Sequence, residues 1–102
     1  MTKTKYYRWR LRKVIQEAQK KSGGEFVVLA KSQYPQMVSV YIFVLSDEIY
    51  VQLLWHGHLL PPAKCKNIEE AIDRVARWLA EHPTRWRIIW RKNEELRLKF
   101  LF

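Results

Sequence analysis

The 102-residue sequence has few cysteines, few glycines and no long apolar run. Its single cysteine, Cys65, cannot form a disulfide within the chain, which is typical of a reducing compartment and predicts a cytoplasmic protein. With only three glycines, the sequence contains none of the glycine-rich loops that hold nucleotide phosphates. The longest apolar run, Val40 to Leu45, has the length of a strand and not of a membrane span. The first residues are charged and no apolar segment follows them, so we expect neither a secretory signal nor a membrane partner.

The residues that are abundant are those that build a core. Apolar residues make up 48% of the chain and aromatic residues 14%, which favours a folded protein over a disordered one despite the high charge. A chain of this length can bury one core without disulfides or metals. We therefore predict a single domain spanning residues 1–102.

Two segments have the periodicity of amphipathic helices. In the first, from Tyr7 to Lys21, apolar residues recur at steps of three and four: Tyr7, Leu11, Val14, Ile15 and Ala18. Residues 7–12 also alternate as a strand would, but the helix-forming residues that follow favour a helix up to the Ser22-Gly23-Gly24 stop. The second helix begins after Asn67, a residue typical of helix N-caps, and ends at His82-Pro83.

Five segments have the composition and alternation of strands. They are 25–31, 37–45, 49–55, 85–91 and 96–102, and the last two read as a hairpin. The element order αβββαββ predicts an α+β domain with an antiparallel five-stranded sheet and two helices on one face. The opposite face would carry Tyr41, Phe43, Leu45, Tyr50 and Leu54. An apolar face of that kind needs a cover, and we predict a second copy of the chain, giving a homodimer.

Positive charge is concentrated at the two ends of the sequence. Nineteen Lys and Arg against ten Asp and Glu give a formal charge of +9. Residues 1–21 hold eight bases and one acid, residues 85–102 hold six bases and two acids, and residues 22–66 are balanced. A basic protein with aromatic residues among its bases suits phosphate contact and base stacking.

The sequence therefore predicts a non-enzymatic protein that binds nucleic acid, DNA or RNA, through the first helix and the last hairpin. Alternation places the basic side chains of the hairpin on one face, and we expect them to converge with those of the helix. The predicted contact residues are Arg8, Arg10, Arg12, Lys13, Arg85, Arg87, Arg91, Arg97 and Lys99. In the second helix, by contrast, Glu70 with Arg74 and Asp73 with Arg77 are i, i+4 pairs that neutralise each other.

Two alternatives remain open at this point. The basic ends could dock on an acidic protein, as in an inhibitor or accessory protein of a virus or plasmid. The histidines of His56-Gly57-His58 could act as bases in a small nuclease or toxin. Cys65 lies seven residues beyond His58, but no second ligand pair follows at a zinc-site spacing, so the sequence predicts no metal and no cofactor.

Overall fold

A computed structural model describes residues 2–32, 38–82 and 84–92 of the chain. It contains two helices, α1 (Lys3–Lys21) and α2 (Ile68–Glu81). Its strands are β1 (Phe26–Ser32), β2 (Val38–Val44), β3 (Ile49–Trp55), β4 (His58–Leu59), β5 (Ala63–Cys65) and β6 (Trp86–Lys92). The predicted α+β class is confirmed, and so is the order of a helix, several strands, a second helix and a further strand; five strands instead of the predicted three lie between the helices. The second strand of the predicted terminal hairpin, at 96–102, lies outside the described residues.

The strands form one antiparallel sheet in the order β4-β3-β2-β1-β6, and β5 pairs with β3 beside β4. Alternation within the strands is as predicted. Val40, Ile42 and Val44 of β2 face the helices, whereas Tyr41 and Phe43 face the other way. After β5, α2 carries the chain across the sheet to β6, which pairs with β1.

Helix α1 begins four residues before the predicted start. The Thr2 hydroxyl accepts a hydrogen bond from the backbone N–H of Lys5 at 3.2 Å, so Thr2 is the N-cap of the helix. Such a cap satisfies one of the N–H groups that the first helical turn leaves without a partner. The extra turn brings Lys3 and Lys5 into the helix, and this changes the composition of its exposed face.

The chain between β3 and α2, where no strand is predicted from the sequence, contains two short strands. His56 and Gly57 both have positive φ, 48° and 84°, and connect Trp55 of β3 to its partner His58 of β4. Two such residues in succession are typical of a tight type I′ hairpin turn. Their local conformation explains why the sequence pattern breaks at this point although the sheet continues.

The main core lies between the helices and one face of the sheet. Its largest fully buried side chains are Phe26, Leu11, Ile42, Ile72 and Leu79. Trp86, Ile88 and Trp90 of β6 pack against the same core, as their alternation predicts. Neither helix in the described part of the chain combines the length and apolar character needed to cross a membrane.

The other face of the sheet carries a second apolar cluster. Val27, Leu29, Tyr41 and Phe43 form its centre and are between 0% and 4% exposed within a single chain. Tyr50, Leu54, Leu59 and Ile89 pack around them. The apolar character of this face is as predicted, and the homodimer through it stays a prediction.

Candidate nucleic-acid interface

The solvent-facing side of α1 carries two large aromatic side chains. Tyr6 is 44% exposed and Trp9 is 51% exposed, and their ring centroids are 6.4 Å apart. Burial of Leu11, Ile15 and Ala18 fixes the orientation of the helix, which turns Trp9 away from the sheet. Trp9 therefore does not belong to the core, although an apolar residue in an amphipathic helix usually does.

Lysines surround these rings on the same side of the helix. Steps of three and four residues connect Lys5, Trp9, Lys13, Gln16 and Lys20, so these side chains share one face. The Lys13 ammonium lies 5.9 Å from the centroid of the Trp9 ring, within range of a cation–π contact. We call the set Lys5, Tyr6, Trp9, Lys13, Gln16 and Lys20 the outer surface of α1.

The three lysines of this surface form no ion pair within the part of the chain that the structure describes. Within residues 2–32, 38–82 and 84–92, the ion pairs involve other bases: Arg8, Arg12, Lys21, Lys64, Arg74 and Arg77. Arg10, another predicted contact residue, also lies on α1 and forms none of these pairs. The charge of the outer surface is consequently available to a negatively charged ligand.

Arg8 and Arg12, by contrast, are engaged within the molecule. Arg8 donates to the carboxylate of Asp73, and Arg12 donates to Glu69 at 2.5 Å. The arginine later in α1 pairs with the acid earlier in α2, as expected for two helices that run in opposite directions. Both bases were predicted to contact a nucleic acid, but the structure places them in the contact between the helices.

Asp73 is the centre of this ionic contact. It also accepts a hydrogen bond from Arg77. The hydrogen bond from Arg8 is the largest influence on the pKa of Asp73 and lowers it below its ordinary value. Burial opposes this shift, while the charges of Arg77 and Arg8 and the hydrogen bond from Arg77 reinforce it. The Glu70–Arg74 pair, at 3.3 Å, and the Asp73–Arg77 pair confirm the self-neutralising face predicted for α2.

The two predicted contact residues in β6, Arg87 and Arg91, lie on the opposite side of the sheet from α1. Arg91 pairs in register with Val27, and Arg87 pairs with Lys31, so both arginines project to the face of the second apolar cluster. Arg85, which is exposed, immediately precedes the strand. Arg97 and Lys99 lie outside the described residues. The expected convergence of helix and strand cations on one side is therefore wrong for the residues that the structure describes.

The two histidines of the alternative nuclease hypothesis occupy the β3–β4 turn. The ring of His56 packs edge-on against Trp55, with centroids 4.6 Å apart, and His58 is exposed in β4. Cys65 is buried in the main core, where desolvation raises the pKa of its thiol. Across the described ranges, no group of three or more His, Cys, Asp and Glu side chains is arranged to hold a metal ion.

An apolar cleft of about 230 Å³ opens beside β3 and α2. Its lining residues include Val51, Leu53, Leu60, Pro61 and Trp78. The charged residue in its lining, Arg74, is paired with Glu70. Among the described residues that line the cleft, none is an acid or a free base of the kind that a hydrolytic site requires.

Comparisons with protein-family profiles, with curated proteins and with solved structures found no match to this chain.

Proposed function

We propose that this chain is a small non-enzymatic protein of the cytoplasm that binds single-stranded nucleic acid, DNA or RNA, through the outer surface of α1. The observation that carries the proposal is the pair of half-exposed rings, Tyr6 and Trp9, among lysines that have no acidic partner among the described residues. Each of these residue types supplies one part of the recognition.

The rings favour a single strand over a duplex. Nucleobases stack on aromatic side chains when their faces are accessible, and each such contact contributes about 1–3 kcal/mol. In a duplex those faces are already stacked on neighbouring base pairs. The exposed ring of Trp9 would therefore find partners in single-stranded DNA or RNA, with no requirement for a particular base sequence.

The lysines supply contacts to phosphates. At 1.5 Å per residue, the distance along the helix from Lys5 to Lys20 is about 22 Å, enough for several nucleotides. Each lysine that meets a phosphate releases condensed counterions, which makes binding depend on salt with a slope of about −0.7 per contact for single strands. We leave Arg8 and Arg12 out of the proposed interface, because they form ion pairs with Asp73 and Glu69.

A titration with labelled oligothymidine and oligouridine at several salt concentrations tests the proposal. We expect Trp9→Ala to weaken binding about 5- to 150-fold through the loss of one stacking contact. Lys20→Gln should reduce the salt slope by about 0.7. The matched control is Lys31→Gln, because Lys31 is an exposed lysine on the opposite face of the sheet and its loss should change neither quantity.

Three results would contradict the proposal. They are undetectable binding at low salt, tighter binding of a duplex than of a single strand, and an equal reduction of affinity and salt slope in Lys20→Gln and Lys31→Gln. A pull-down that retains an acidic protein and no nucleic acid would instead favour the alternative of a protein partner.

A further inference from the structure

The apolar cleft beside β3 and α2 is large enough for a small organic molecule. Its volume is about 230 Å³. By comparison, a cavity of about 150 Å³ with an apolar lining can hold a benzene molecule. Pockets that bind drug-sized ligands are larger, at about 300–1,000 Å³. The cleft therefore suits a ligand with an apolar body of about the size of a substituted benzene ring.

Three parts of the fold form the walls of the cleft. Val51 and Leu53 lie two residues apart on β3 and face the helices. Val75 and Trp78 lie three residues apart on α2 and share one face of that helix. The connection between β4 and β5 forms the third wall, to which Leu60 belongs. The first two walls are thus regular elements of the fold.

The third wall is held in place by hydrogen bonds to β3. The backbone N–H of Leu60 donates to the carbonyl of Leu53 at 2.9 Å, and the carbonyl of Leu60 accepts from the side-chain amide of Gln52, also at 2.9 Å. Gln52 is buried, and its Oε1 has no hydrogen-bond partner among the residues that the structure describes. A buried oxygen without a partner is unfavourable. The contribution of Gln52 is therefore to position Leu60, which keeps the cleft formed without a ligand.

Exposed apolar side chains concentrate at two places on the described part of the molecule. Tyr6 and Trp9 belong to the outer surface of α1. The others, Trp55 and Leu60, are 37% and 41% exposed and lie at the cleft. Leu60 lines it, and the ring centroid of Trp55 is 6.2 Å from that of Trp78, which also lines it. An exposed apolar patch around a cleft is typical of a ligand-binding site.

Arg74 gives the cleft its charge. It is the charged residue among the described residues of the lining, and its side chain is 51% exposed. Its ion pair with Glu70 spans 3.3 Å at the protein surface, where such pairs contribute little. The pair uses Nη2 of a guanidinium that has five N–H groups, so donors remain for a ligand.

We propose that the cleft binds a small carboxylic acid, with its apolar body between β3 and α2 and its carboxylate on Arg74. The walls remove the apolar body from water, and the guanidinium selects for the negative charge. A phosphate ester would bring up to about two charges to one arginine that Glu70 already neutralises in part, so a carboxylate fits better. The cleft shares no residue with the outer surface of α1, and the proposal does not depend on nucleic-acid binding.

Titration of the full-length protein with 4-phenylbutyrate, followed by NMR of the methyl groups, tests the proposal. We expect saturable shifts at Val51, Leu53, Leu60 and Val75, which line the cleft. The matched probe is 4-phenylbutanamide, which has the same apolar body without the charge. We expect it to bind about 5- to 10-fold more weakly, because it lacks the charge-assisted contact with Arg74.

Substitutions separate the contribution of the charge from that of the apolar walls. Arg74→Gln should remove the difference in affinity between the acid and the amide. The matched control is Arg77→Gln, an exposed arginine of α2 that does not line the cleft, which should preserve the difference. Ala63→Phe places a ring in the cleft from an exposed position of β5 and should weaken both probes by about tenfold or more.

Four results would overturn the proposal. They are the absence of saturable shifts up to about 10 mM of either probe, equal affinity for the acid and the amide, and an equal effect of Arg74→Gln and Arg77→Gln. The fourth is a set of shifts confined to α1, which would show that the carboxylate binds the lysines of the outer surface instead.

Discussion

At the scale of single residues, Asp73 decides which of the basic side chains of α1 remain available. Its carboxylate holds Arg8 from α1 and Arg77 from α2 together, and Glu69 holds Arg12 in the same way. Two arginines next to Trp9 in the helical wheel are thereby directed sideways, towards α2. The lysines of the outer surface keep their charge for an external partner.

The lowered pKa of Asp73 predicts an acid-dependent loss of stability. Because the folded protein lowers this pKa from the ordinary 3.8, the stabilisation is complete above that value and disappears as the pH falls through the folded value. Asp73→Asn should therefore lower the melting temperature at neutral pH and make it less sensitive to pH below about 4.

Melting curves recorded between neutral pH and about pH 2 measure this effect. The matched control is Glu81→Gln, a carboxylate of α2 that forms no ion pair among the described residues. If Glu81→Gln and Asp73→Asn gave the same pH profile, the ionic contact between the helices would not be the cause.

At the scale of elements, the sequence predicted those features of the strands and helices that depend on a local pattern of residues. The alternation in β2 identified its two faces, and Asn67 marked the start of α2, where its side chain accepts a hydrogen bond from the backbone of Glu70 at 2.8 Å. The cap at Thr2 was missed because the apolar stripe begins only at Tyr7. The strands β4 and β5 were missed because two or three residues are too few to show a periodicity.

The candidate interface was less predictable than the fold, for a physical reason. Whether Arg8 and Arg12 are free depends on how α1 and α2 align, and this distant contact has no local signal. The same holds for β6: its alternation was read correctly, but only the pairing with β1 shows that Arg87 and Arg91 face away from α1.

The N-cap of α2 gives a prediction at this scale. Asn67→Ala should destabilise the protein by about 1 kcal/mol, because the backbone N–H of Glu70 loses its acceptor. Asn67→Asp should preserve most of the stability, since aspartate also caps well and its charge suits a helix N-terminus. Urea denaturation measures the free energy of unfolding of both variants. Equal losses of stability would show that the hydrogen bond at the N-cap does not stabilise the protein.

At the scale of the whole molecule, the sheet has a buried apolar cluster on each of its faces. Phe26 lies at the centre of one and Phe43 at the centre of the other, and both are 0% exposed. We expect Phe43→Ala to cost about 3–5 kcal/mol, the same range as Phe26→Ala, because each truncation leaves a cavity in a buried apolar cluster. Urea denaturation checks this, with Phe43→Leu and Phe26→Leu as milder variants. A cost near zero for both substitutions of Phe43 would mean that its face is open in solution.

The pairing of β6 with β1 also sets the order in which this chain can complete its structure. Phe26 and Lys92 are neighbours in the sheet although 65 residues separate them along the chain. During synthesis β1, β2 and β3 emerge first and can form a meander, while one side of β1 has no partner until α2 and β6 leave the ribosome. Contacts between such distant segments form slowly, since the long loop between them must close, at a cost in chain entropy, before the contacts can stabilise the fold. We therefore expect the pairing of β6 with β1, which closes the sheet, to be the slow step of folding.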